Sequence, residues 1–175
     1  MQAETFHRRL AKTLLAAFLL FVAAAFAAYR WGLRYNFTGS MPTGFYRVLT
    51  TAGIERGALV VVCPDLTHPA IRQAHERGYL RPGWGCGRIA PMLKRVHALS
   101  GDRVDVAQEG ILVNGEMIEK SSRLTTDRAG RSLPQPAGGI VPPNHFWVLG
   151  ESLDSFDSRY FGPIPILHAT AATPL

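Results

Sequence analysis

The longest uniform stretch of the chain runs from Thr13 to Tyr29, where Leu, Ala, Phe and Val follow one another without a charge. A spanning helix needs about 17–25 such residues, so the stretch predicts one transmembrane helix over 13–29. Arg8, Arg9 and Lys12 precede it, and only Arg30 and Arg34 follow closely. That bias predicts cytoplasmic residues 1–12 and an external domain over 30–175. A basic start, an apolar middle and Ala25-Phe26-Ala27 also fit a cleavable secretion signal, which stays the alternative. A buried soluble helix would need a polar face or cover on every side, and the run has no polar face.

Beyond Tyr29 the apolar runs become short and alternate with turns. Arg30–Gly39 reads as a juxtamembrane connection. Phe45–Leu49 and Ala58–Val62 read as strands separated by Gly53 and Gly57. Residues 67–78 carry Pro69 in the first turn and Gly78 at the end, as a short helix does. Gly83-Trp84-Gly85-Cys86-Gly87 reads as irregular. Pro91–Leu99 and Arg103–Val106 resume as strands, and Ile111–Ile118 encloses an Asn114-Gly115 hairpin turn. Ser121–Gly139 reads as a mobile loop, Phe146–Leu149 as a last buried strand, and the tail after Leu167 as loose. With 12 Pro and 17 Gly in 175 residues, this pattern predicts one mainly β domain behind one N-terminal helix.

A net charge of +6 raises the question of nucleic acid. The basic residues crowd before the apolar run or stand singly among loops and strands, with no recognition helix or stacking strand. Direct nucleic-acid binding is therefore not expected. No four ligands stand at zinc spacing, and neither a metal nor a cofactor is expected.

Three segments carry chemistry. In Thr38-Gly39-Ser40-Met41-Pro42-Thr43-Gly44, a serine beside Gly and Met-Pro is by itself an ordinary turn residue. In Leu93-Lys94-Arg95-Val96, a strand lysine ordinarily points to solvent, but its apolar neighbours could desolvate it, as a lysine base requires. Gly150–Gly162 contains Ser155-Phe156-Asp157-Ser158-Arg159. Taken in this order, the three resemble the type I signal peptidases, from about Asn36 to Ile166.

The resemblance implies a signal-peptidase-like β-rich domain with Ser40 as nucleophile and Lys94 as general base, and no histidine in the mechanism. It also implies the Ser40 amide and the Thr38 hydroxyl as oxyanion donors, Ser155 as a group orienting the lysine amine, and an Asp157–Arg159 pair holding the last signature against the site. Thr38 as a plain linker residue is the alternative. Met41 is followed directly by Pro42-Thr43, where leader-removing members usually carry one intervening residue, and Gly150-Glu151-Ser152-Leu153 replaces the usual Gly-Asp-Asn-Arg. Ser-x-Pro-x-Gly-x-Tyr and Gly78-Tyr79-Leu80…Gly85-Cys86 are instead similar to the conjugative-transfer, TraF-type branch. That branch implies a single-pass inner-membrane enzyme with a periplasmic catalytic domain. Its substrate would be a pilin precursor, released to water or cyclised, and its partners the bilayer and other proteins of the transfer apparatus. A general leader peptidase of secreted preproteins and an inert periplasmic scaffold are the alternatives. In such a compartment Cys63 and Cys86 would form a disulfide, two buried thiols being the other reading.

Overall fold

Residues 2–49 and 53–175 are described by a computed structural model. Helix α1 spans Gln2–Arg30; its part from Phe6 to Arg30 is long and apolar enough to cross a membrane, and its apolar window is not buried against the rest of the protein. It begins well before Thr13, because nothing in the basic segment ahead of it stops a helix.

The strands follow in chain order: β1 (Leu33–Asn36), β2 (Gly44–Val48), β3 (Leu59–Val62), β4 (Pro82–Cys86), β5 (Met92–Leu99), β6 (Arg103–Val106), β7 (Ile111–Val113), β8 (Glu116–Met117), β9 (Gly139–Ile140), β10 (His145–Leu149), β11 (Ile164–Pro165) and β12 (Ala169–Pro174). Two short helices, α2 (Pro69–Glu76) and α3 (Ser158–Phe161), interrupt them. Seven strands form an antiparallel sheet in the order β1-β2-β12-β3-β5-β10-β11, and four form a second in the order β8-β7-β6-β9. The Asn114-Gly115 turn closes β7 on β8 with both residues at positive φ, 52° and 87°. Asn and Gly are the residues that tolerate this conformation best.

Strand β10 explains how two cores share one scaffold. Alternate residues of a strand face opposite ways, so Phe146 and Val148 enter a cluster with Val60, Val62 and Ile71. Trp147 and Leu149 enter another with Val104, Ile111 and Val113. Burying a side chain of this kind contributes about 1.5–3 kcal/mol.

Four segments differ from what the sequence predicts. The connection 30–39 contains β1, because β2 offers it an open edge. The glycine-rich run contains β4, bridged to Ile89. There Gly83 lies so close to Ala90 that an added Cβ would come within 2.7 Å of the Ala90 backbone. The loop 121–139 is irregular but tied down: Asp127 takes hydrogen bonds from the Tyr79 hydroxyl and from Arg131, and Arg77 bonds the Ser132 carbonyl. The tail is not loose at all, since β12 fills the slot between β2 and β3.

Cys63, just past β3, is disulfide-bonded to Cys86 at the end of β4, with Cα atoms 5.3 Å apart and a sequence separation of 23. Closing a loop of this size stabilises by about 3 kcal/mol, chiefly by restricting the unfolded chain. The double variant Cys63→Ala/Cys86→Ala is expected to lose about that much, read as a lower denaturant midpoint. A midpoint unchanged from wild type would show that the crosslink adds nothing.

Candidate active site

Ser40 stands on the loop joining β1 to β2. Met41, 2% exposed, anchors that loop by inserting into a small cluster with Tyr46, Leu59, Leu93 and Ala172. The Tyr46 hydroxyl donates to the Pro42 carbonyl at 2.7 Å. On the other side the Ser40 carbonyl accepts from the Glu151 amide at 2.8 Å, joining the loop to the segment after β10. The Ser40 amide donates to no protein acceptor among the described residues, so it is available to an incoming oxygen.

Lys94 lies in β5 opposite Val60 of β3 and is only 3% exposed. Its Nζ is 3.0 Å from Ser40 Oγ. Burial pushes its pKa from 10.5 down to about 8; the Asp157 carboxylate opposes the shift and the Arg159 guanidinium adds to it. His97 lies three positions further along β5, at the register shift between the Val96–Val148 and Ala98–Trp147 pairs, and its ring makes no hydrogen bond to Ser40 among the described residues.

The segment after β10 is built around Asp157 and Arg159, both fully buried. The guanidinium grips the carboxylate through Nε at 2.9 Å and Nη2 at 2.7 Å. It also donates to the carbonyls of Ser152 at 2.7 Å and Lys120 at 3.1 Å. Asp157 in turn accepts from the Gly150 amide at 2.7 Å and caps α3 through the Arg159 amide. Gly150 sits in the tightest place of the site, where an added Cβ would fall 2.2 Å from Ser155 Oγ and 2.8 Å from the Ser40 carbonyl.

Ser155 is buried beside these groups and lines the same cavity as Ser40 and Lys94, but its Oγ has no hydrogen-bond partner among the described residues. The bond to the lysine amine that the resemblance implies is therefore not made in this structure. Thr38 Oγ1 is 3.2 Å from Ser40 Oγ and 2.7 Å from Asn36 Oδ1. Asn36 carries no motif signal beyond an Asn-x-Thr turn, and its role emerges only once the loop is closed. The cavity above the pair, about 460 Å³, has an apolar floor that includes Leu80, Met92, Leu93 and Phe156, with Arg128 and Asp154 at its rim.

The model for the family described as "Signal peptidase, peptidase S26" matches residues 7–173. The chain belongs to the signal peptidase family, peptidase S26. It is similar to the conjugal transfer protein TraF of Agrobacterium tumefaciens (strain 15955), 38% identical over 91% of this chain and 90% of that one. It is likewise similar to a plasmid transfer protein TraF of Escherichia coli, 40% identical over 85% of this chain and 82% of the other. A crystal structure of a signal peptidase I from Enterococcus faecalis V583 aligns at 17% identity, covering 70% of this chain and 99% of that one with a TM-score of 0.39. Within this member of the S26 family, the loop from β1 to β2 brings the serine, β5 the lysine and the turn after β10 the buried ion pair.

Proposed function

We propose that the protein is a membrane-anchored serine endopeptidase that processes a pilin precursor for conjugative transfer, with Ser40 as nucleophile and Lys94 as general base. The observation that carries the chemistry is the desolvated Lys94 amine 3.0 Å from Ser40 Oγ. An amine that loses its proton near pH 8 can do what imidazole does in histidine-based serine proteases. The transfer setting is supported by relatives named for conjugal and plasmid transfer.

In this reading neutral Lys94 takes the Ser40 proton as Oγ attacks the scissile carbonyl, and the resulting oxyanion is met by the Ser40 amide. Collapse breaks the peptide bond, with Lys94 returning the proton to the departing amine. The acyl-enzyme is then resolved by water or by an amine of the same pilin. Asp157 and Arg159 hold the Gly150–Ser152 segment under the Ser40 carbonyl and so keep nucleophile and base in register. The uncovered apolar α1, the basic residues ahead of it and the disulfide support residues 1–12 in the cytoplasm, a span over 13–29 and the domain 30–175 in the periplasm.

Co-expression with the pilin precursor of the same transfer system, followed by intact-mass measurement, tests this. Cleavage should give a product of the hydrolysed mass, or one water lighter if the acyl group passes to the pilin's own amine. An intact precursor beside folded, membrane-inserted enzyme would overturn the reading.

A further inference from the structure

Asn36 closes the loop that carries Ser40, pairing with Gly44 at the end of the β1–β2 register. Its Oδ1 accepts from the Thr38 amide at 3.0 Å and from the Thr38 hydroxyl at 2.7 Å. Its Nδ2 lies 3.1 Å from the carbonyls of Thr38 and Met41 and 3.0 Å from that of Pro42. Two amide protons serve three carbonyls, so one contact is shared. The reverse orientation of the amide would set N–H against N–H and oxygen against three carbonyls.

We propose that Asn36 is a positioning residue that fixes the Ser40 loop and, through Thr38, steers the Ser40 proton; the inference rests on the serine–lysine reading above. An amide oxygen only accepts, so the single Thr38 proton lies on the bond to Asn36. Toward Ser40 Oγ, 3.2 Å away, Thr38 can then only accept. The Ser40 proton has two acceptors in reach, Thr38 Oγ1 and the neutral Lys94 Nζ. While Lys94 is charged it donates to Ser40 Oγ and the serine proton rests on Thr38. Once Lys94 is neutral the proton turns to Nζ, the direction that attack requires. Asn36 thereby holds Oγ in one place through both states and keeps Thr38 from donating to the nucleophile. The Thr38 hydroxyl reaches an oxyanion only by leaving Asn36, so in this arrangement oxyanion donation rests on the Ser40 amide.

The test measures kcat and KM against pH for the purified full chain in detergent, with the pilin precursor of the same transfer system as probe. The proteins compared are wild type, Asn36→Ala, Asn36→Asp and Ser40→Ala. Displacing a nucleophile by about 1 Å costs on the order of 10²-fold, so Asn36→Ala should lower kcat by about that factor while KM changes less than about threefold. Asn36→Asp keeps an acceptor for Thr38 but loses the donors to the carbonyls. It also puts a carboxylate one hydroxyl away from the pair, so the acidic limb of kcat should move to higher pH. Unchanged kcat in Asn36→Ala, or a lowered melting temperature as its only effect, would overturn the proposal. Should Asn36→Ala fail to fold, the pH limb of Asn36→Asp decides, and an unshifted limb overturns it. Processing by Ser40→Ala would remove the serine–lysine reading itself. An inert Ser40→Ala beside wild-type Asn36 variants would remove this inference alone.

Discussion

Ser40→Ala and Lys94→Arg are each expected to lower turnover by about 10⁴-fold or more, and the two together by little beyond either alone, because in the proposed mechanism nucleophile and base act as one unit. Arginine keeps its charge at any working pH and cannot take the serine proton, so similar length is no help. The same geometry sets the pH dependence. Only neutral Lys94 is a base, and burial brings its pKa to about 8. Turnover should therefore rise through that ionisation rather than through one near 10.5. The sign for stability runs the same way. Between about pH 8 and 10.5 the unfolded chain holds a proton on this lysine that the folded one lacks, so stability gained with rising pH appears in that window. Rate profiles and melts against pH check both. A limb centred above pH 10, or near wild-type turnover in Lys94→Arg, would remove Lys94 from the mechanism.

Asp157→Ala is expected to cost about 3–5 kcal/mol, since cutting a buried ion pair strands the remaining charge away from water. Both partners are fully buried, and the lost carboxylate also held the Gly150 amide. The comparison that isolates burial is Arg128→Ala. Its pair with Asp154 is 3.0 Å long but 94% and 67% exposed on the two sides, and exposed pairs contribute about 0–1 kcal/mol. Denaturant melts of the two variants should differ accordingly. Equal midpoints would mean that the buried pair is not what holds the segment after β10.

The parts of the site legible in the sequence are those whose chemistry is local. Asp157 and Arg159 are two residues apart, and their pairing needs only the turn that contains them. Ser40 and Lys94 are far apart in the chain, and the sequence shows each only in its own setting; the apolar neighbours of Lys94 point to desolvation, while their 3.0 Å approach needs β2, β12, β3 and β5 in place. Asn36 was invisible for the same reason, because its partners are the carbonyls of a loop not yet closed. Ser155 is the converse case. A motif position implies a bond to the lysine, and in this structure the buried hydroxyl, beside Gly150, has no hydrogen-bond partner among the described residues.

Among the elements, the apolar run, the Asn-Gly hairpin and the Val-rich strands follow from patterns a few residues long. Strand β12 does not. Ala169-Thr170-Ala171-Ala172-Thr173-Pro174 has no large apolar residue to mark it, and small side chains suit a slot between two strands already carrying the bulk.

The place of that strand bears on the order in which the site can assemble. The hairpin bearing Ser40 and the strands bearing Lys94 share no sheet hydrogen bonds with each other; β12 joins them. A chain made from its N-terminus delivers β2 early, β5 midway and β12 last of the strands. Until residues 169–174 are in place, the sheet that joins the serine hairpin to the lysine strand is incomplete. A chain still short of its last strand therefore carries Ser40 and Lys94 on two pieces of sheet that no strand yet joins.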